Sequence, residues 1–189
     1  MMDTARPEPM HDPADIRTPR LLLRRPVPGD ARAIFEAYSS DPEVVRYLSW
    51  LRHRTLDDAS DIVARFIAWR SDPLAEQVFM ICLADREDAP VGTIGFRRSG
   101  RYVSFGYCLA RACWGQGLMS AALVAVRDLC MASPEIDRFW AYCDAENPGS
   151  ARVMEKAGLS FERLEREYSV MPNISPEPRD CLIYAVSKD

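Results

Sequence analysis

Tyr102-Val103-Ser104-Phe105-Gly106-Tyr107-Cys108-Leu109 leads into Arg111-Ala112-Cys113-Trp114-Gly115-Gln116-Gly117-Leu118-Met119-Ser120-Ala121-Ala122-Leu123. The first run is rich in strand formers and has the length of a strand. The second begins at glycines and passes into a helix, with Leu118, Ala122, Ala125, Val126, Leu129 and Cys130 at helical spacings. Little of that helix is polar, so it is expected to be mostly buried. A strand that enters a glycine-rich turn and then a helix is a ready anion site. The first helical N–H groups lack intrahelical acceptors, and the helix dipole adds partial positive charge there. Gly115 and Gly117 would let a phosphate approach the backbone, but a tight turn needs glycine for its own angles as well, and spacing leaves both readings open.

Two other phosphate motifs fail on paper. The Walker pattern needs Lys after its last glycine, and none lies near Gly117. The dinucleotide fingerprint needs a third glycine where Ser120 stands, at the first turn of a doubly wound sheet. Here the motif follows a meander instead. Gln77–Leu83, Val91–Phe96 and Tyr102–Leu109 read as three antiparallel strands, with turns at Asp88-Ala89-Pro90 and Ser99-Gly100.

On the C-terminal side, Arg138–Cys143 reads as a further strand. Asn147-Pro148 opens a helix with Asn at the cap and Pro in its first turn, and Gly158 closes it as a left-handed residue. Phe161 begins a strand, a loop with Pro172, Pro176 and Pro178 follows, and Cys181–Val186 is the last strand. On the N-terminal side, residues 1–16 read as a disordered tail and 17–189 as a single domain. Arg20–Arg25 is a strand, Asp30 caps a helix carrying Ile34, Phe35, Ala37 and Tyr38, and a short helix runs through Val45. Thr55-Leu56-Asp57-Asp58 resembles a capping box before the amphipathic set Ala59, Ile62, Val63, Phe66 and Trp69.

Composition narrows the function. The chain has 189 residues, enough to bury a core without disulfide or metal, and 48% are hydrophobic. Lys+Arg of 24 against Asp+Glu of 28 leaves −4, so no basic field exists for a nucleic-acid backbone. No apolar stretch is long enough to span a membrane, and the start has no secretory apolar core, so a cytoplasmic location is expected. His11 and His53 have no partner at zinc-ligand spacing, and no metal is expected. The six cysteines form no C-x-x-C pair and read as free thiols in a reducing compartment.

Trp114-Gly115-Gln116-Gly117, then Asn147-Pro148-Gly149-Ser150 and Glu155-Lys156-Ala157-Gly158, resemble the GNAT superfamily of acyl-CoA-dependent N-acetyltransferases. Thr18-Pro19-Arg20-Leu21-Leu22-Leu23-Arg24 is similar to the start of its ribosomal-protein-alanine branch, and the resemblance covers about residues 18–187. It implies an α/β (α+β) fold: a mixed, mostly antiparallel central sheet with helices on both faces, splayed between the strands ending at Leu109 and near Cys143. Acetyl-CoA would lie in the splay as co-substrate, its pyrophosphate on the amides of Gly115, Gln116, Gly117, Leu118 and Met119.

The implied chemistry is direct attack of a primary amine, for example a protein N-terminus, on the thioester in a ternary complex. By the same resemblance a backbone N–H near Leu109 stabilises the oxyanion and Ser150 hydrogen-bonds or protonates the thiolate, alongside plain first-turn serine as an alternative. Asn147 would contact the cofactor, or serve only as the helix cap. Many members carry a tyrosine acid where this chain has Met154. The motif departs at Ala112, and at Ser104 and Ala121, where a glutamate is common, so no general base is named. Asp144 and Glu146 read as solvated loop or helix-start residues. Cys108 and Cys113, with no histidine near, read as packing. A non-catalytic acyl-CoA-binding module is the alternative function. The acceptor and the oligomeric state are not legible.

Overall fold

The computed structural model describes residues 14–72 and 74–188. Most of the expected tail, 1–13, lies outside them. Ile16, expected in that tail, instead lies in strand β1 (Ile16–Arg17), which pairs with β2 (Leu21–Arg24).

Helix α1 (Asp30–Ile34) continues as a π-turn over Phe35–Ser39, and α2 (Pro42–Val45) and α3 (Leu56–Trp69) follow. Next come β3 (Gln77–Leu83), β4 (Arg86–Ser99) and β5 (Tyr102–Leu109). A 3₁₀ turn at Arg111–Cys113 precedes α4 (Leu118–Met131), then β6 (Arg138–Asp144), α5 (Pro148–Lys156), β7 (Ser160–Val170) and β8 (Pro178–Ser187).

The eight strands form one sheet in the order β1-β2-β3-β4-β5-β6-β8-β7. Every neighbouring pair is antiparallel except β5 and β6. That parallel pair holds only from Tyr102↔Arg138 to Ser104↔Trp140, and beyond Ser104 the two strands separate, which is the expected splay. Six consecutive residues of β3, Gln77–Cys82, are buried, so both faces of the sheet are covered. α1 and α3 pack on each other and on β4 and β3; α4 and α5 pack on each other, α4 also on β6 and α5 on β8.

Two local expectations change. Asp88-Ala89-Pro90 is not a turn: β3 reverses into β4 at Ala84–Asp85, and Pro90 lies inside β4 opposite Cys82. The register shifts on both sides of Cys82, and such an irregularity accommodates a residue with no N–H. Asp30 is not the cap either. Gly29 holds that position, and Asp30 is buried in the first turn. Arg24 pairs with its carboxylate through two bonds, of 2.9 and 2.5 Å, and the Val27 N–H donates to it at 2.8 Å. The capping box at Thr55 and Asp58 is present, as are the Asn147 cap and the left-handed Gly158.

Candidate functional site

The splay opens a cleft of about 500 Å³ between β5, β6 and the N-terminal ends of α4 and α5. Gly115, Gly117, Leu118, Met119, Asn147 and Ser150 all line it, with Leu109 at the end of β5. The turn before α4 has no side-chain cap, in contrast to α3 and α5. The first helical bond runs from Ala121 N–H to the Gly117 carbonyl at 3.1 Å. Among the described residues, the N–H groups of 115–120 have no partner. These are the orphan donors of a helix start, here facing a cleft.

Gly115 and Gly117 stand at φ of 74° and 73°, and a Cβ on either would have no atom within 4 Å. The turn therefore needs left-handed residues at both positions, and their bare side is open. The Arg20 guanidinium donates to the Gln116 carbonyl at 3.0 Å and the Gln116 amide to the Ala112 carbonyl at 3.0 Å, bracing the turn. Two cations one helical turn apart, Arg152 and Lys156, reach the cleft from α5. Sequence reading took Lys156 as part of the Glu155–Gly158 motif and passed over Arg152, although their spacing of four on a helix that starts at the cleft was available.

Leu109 is placed by the β4–β5 ladder. Ala110 N–H donates to the Val91 carbonyl at 2.7 Å, so residues 91 and 110 are a hydrogen-bonded pair and the next pair, Gly92 and Leu109, is not. The Leu109 amide and carbonyl therefore face away from β4, toward the splay. The carbonyl accepts the Trp114 indole N–H at 2.7 Å, and the N–H is aimed where β6 has already diverged.

Ser150 sits in the first turn of α5. Its N–H donates to Asn147 Oδ1 at 3.1 Å, which is the cap interaction. Its Oγ lies 2.8 Å from the Tyr107 hydroxyl, which also donates to the Ser150 carbonyl at 3.2 Å. Burial pushes the Tyr107 phenol far up, so it stays protonated at neutral pH. Sequence reasoning missed Tyr107. The signal was strand parity, since Tyr107 and Leu109 alternate onto one face. Met154, at the position of the missing tyrosine, is fully buried.

The other candidates separate. Asp144 is not solvated: it is buried, holds the Arg179 guanidinium at 2.5 Å and accepts the Glu146 N–H at 2.8 Å. Glu146 is exposed and pairs with Arg179 at 2.8 Å. Burial raises the thiols of Cys108 and Cys143 to about 12, and that of Cys113 also upward, away from the thiolate a nucleophile needs. Among the described residues no group of three His, Cys, Asp or Glu is placed to hold a metal, and no helix is long and apolar enough to cross a membrane.

A second cavity, about 1030 Å³, lies beyond β5. Its walls come from the segment 48–54, the Asp58-Ile62-Phe66 side of α3 and the even-numbered residues Gly106 and Cys108. Gly106, Tyr107 and Cys108 border both cavities. His53 lines it too, bonded through Nδ1 to Ser39 Oγ at 2.9 Å and with its ring tilted at 37° against that of Trp50, and burial lowers its pKa.

These features were compared with known proteins. An uncharacterised N-acetyltransferase, p20, from Bacillus licheniformis is 29% identical over 155 residues, covering 80% of this chain and 85% of that one. The crystal structure of a GNAT-family acetyltransferase from Bacillus anthracis superposes with a TM-score of 0.78 at 26% identity, covering 92% of this chain and 98% of the other. RimL, a ribosomal α-N-protein acetyltransferase solved with coenzyme A, shares the fold at TM-score 0.78 and 19% identity, covering 93% and 98%. The family description "Acetyltransferase (GNAT) domain" matches residues 20–160, from β2 through the splay, the uncapped helix start and α5 to the first residue of β7. With a splayed sheet, a glycine turn and a free helix N-terminus in that matched segment, the chain belongs to the GNAT family of acetyl-CoA-dependent N-acetyltransferases.

Proposed function

We propose that this enzyme acetylates a primary α-amine, such as a peptide N-terminus, by direct attack in a ternary complex. The observation that carries the reading is the pair of cavities meeting at Gly106, Tyr107 and Cys108. Acetyl-CoA takes the cleft, with its pyrophosphate on the N–H groups from Gly115 to Met119 and its other phosphate near Arg152 and Lys156. The amine enters from the second cavity. The Leu109 N–H serves the developing oxyanion, and the Tyr107–Ser150 pair supplies the proton to the departing thiolate. Asn147 holds Ser150 in place and borders the same ligand. The fold likeness to RimL is compatible with a peptide acceptor.

Acceptor chemistry favours the α-amine. At pH 7.5 roughly a third of an α-amine is neutral, against about one part in a thousand of a lysine side chain. The test is steady-state acetylation of peptides with a free N-terminus and of matched peptides with only a lysine amine. Intersecting initial-velocity lines and a higher kcat/KM for the free N-terminus are expected. Parallel lines would sink the ternary complex, and a preference for lysine would sink the α-amine assignment.

A further inference from the structure

Glu76 stands one residue before β3, on the wall of the second cavity. The register sets its surroundings. Val78 pairs with Gly95, and Gly95 with Gly106. Alternation puts residues 76 and 78 on the face of Thr93, Gly95, Gly106 and Cys108. The Glu76 side chain lies over Gly95: a Cβ there would stand 2.0 Å from Oε1 and 2.9 Å from Cδ. Across the strand, a Cβ on Gly106 would have no atom within 4 Å. Two glycines in adjacent strands thus clear a floor, with a carboxylate over one and open cavity over the other. Among the described residues that carboxylate accepts no hydrogen bond.

We propose, resting on the reading of this cavity as the acceptor's entry, that Glu76 receives the acceptor amine and takes its proton. The proton moves from the ammonium nitrogen to a carboxylate oxygen. The freed lone pair forms the C–N bond as the C–S bond breaks, the thiolate is protonated from the Tyr107–Ser150 pair, and the second proton that the nitrogen sheds on becoming an amide restores that pair. Glu76 then returns its proton to solvent. Gly95 is the positioning residue, because any side chain there displaces the carboxylate.

Other ionisable groups face this cavity from each neighbouring element. Arg97 on β4 is the cation that acts on Glu76 and opposes the upward push of its burial. On β5, Cys108 is raised to about 12 and Tyr107 further, and Tyr38 of the π-turn is raised well up, so none of them ionises near neutrality. On α3, the N–H groups of Arg54 and Thr55 hold Asp58 low, beside Asp61 and Arg65. The 48–54 segment adds Arg52, Arg54 and His53, the last lowered by burial. A direct readout of Glu76 is therefore needed.

Protein with carbon-13 at its glutamate carboxyls, loaded with coenzyme A, is titrated by NMR across the carboxylate and α-amine ranges, Glu76→Gln assigning the signal. Phenethylammonium is the probe. The Glu76 midpoint is expected to fall by about half a pH unit or more when the probe is added, as a cation nearby favours the charged form. A midpoint indifferent to the probe overturns the proposal. In acetylation of phenethylamine and of a peptide with a free N-terminus, Glu76→Gln is expected to lower kcat/KM roughly 100- to 10,000-fold and to remove the acid limb of the pH profile. Glu76→Asp should recover part of the rate and Gly95→Ala should lose it, with acetyl-CoA affinity unchanged in all three. A wild-type rate in Glu76→Gln overturns the proposal while amine acetylation stands. A Glu76 that answers the probe in an enzyme acetylating neither amine overturns the transfer reading, and the proton-transfer step with it.

Discussion

Tyr107 and Ser150 are 43 residues apart in the chain and 2.8 Å apart in the cleft. If the pair protonates the thiolate, Ser150→Ala and Tyr107→Phe each lower kcat about 10- to 1,000-fold with little change in the KM for acetyl-CoA, because the interaction strengthens only in the transition state. Since burial raises the phenol, neither variant alters the pH profile between neutral pH and the acceptor's own ionisation; a limb that vanishes with Tyr107→Phe would refute the assignment. A second residue-scale contrast concerns stability. Arg24 meets a carboxylate that is only 1% exposed, whereas the Arg32–Glu36 pair is open to solvent. Arg24→Ala should cost about 3 kcal/mol in urea denaturation and Glu36→Ala less than about 0.5 kcal/mol, since only the first strands a buried charge. Single residues were the hardest to read from sequence. Asp144 looked like a loop acid because its partner, Arg179, is 35 positions away. Glu76 drew no reading from the sequence, because only the register shows that it lies over Gly95.

At the scale of elements, the glycine turn was legible because its parts are contiguous: strand, two glycines and helix follow one another from Tyr102 to Met131, so local periodicity and turn chemistry suffice. The β3–β4 hairpin was misread because Pro90 normally interrupts a ladder, and only the pairing around Cys82 shows how the sheet absorbs it. Gly117→Ala separates the two uses of that glycine. At φ of 73° an Ala costs about 1 kcal/mol in thermal unfolding, and its Cβ enters the space facing the cleft. Calorimetry should show acetyl-CoA binding weakened about 10-fold or more; unchanged affinity would remove the turn from the binding site. For α5, Asn147→Asp keeps the oxygen that accepts the Ser150 N–H, while Asn147→Ala loses the cap and about 1 kcal/mol. If Asn147 also touches the ligand, the Asp variant keeps its melting temperature but binds acetyl-CoA more weakly.

For the molecule as a whole, the burial of the Glu76 carboxylate carries a stability cost. Its carboxyl is raised in the folded state, so the group favours folding most when protonated, and that contribution is lost as pH rises through the folded value. Glu76→Gln should therefore melt higher than the parent at neutral pH, with the two curves converging below about pH 4. A variant that melts lower at neutral pH would contradict the burial of that charge. The uncapped start of α4 has a different consequence. Where α3 and α5 carry their caps in the chain, the proposed binding mode has α4 take its cap from the ligand, so that acetyl-CoA would complete a secondary-structure element as well as supply an acetyl group. At a ligand concentration 100 times Kd, linkage adds about 2.7 kcal/mol to the folded state. In a chain of this size that lifts Tm by roughly 5–10 °C. Hydrogen exchange should locate the gain: the amides of residues 115–120, without partners in the free protein, become slow only when the nucleotide is bound.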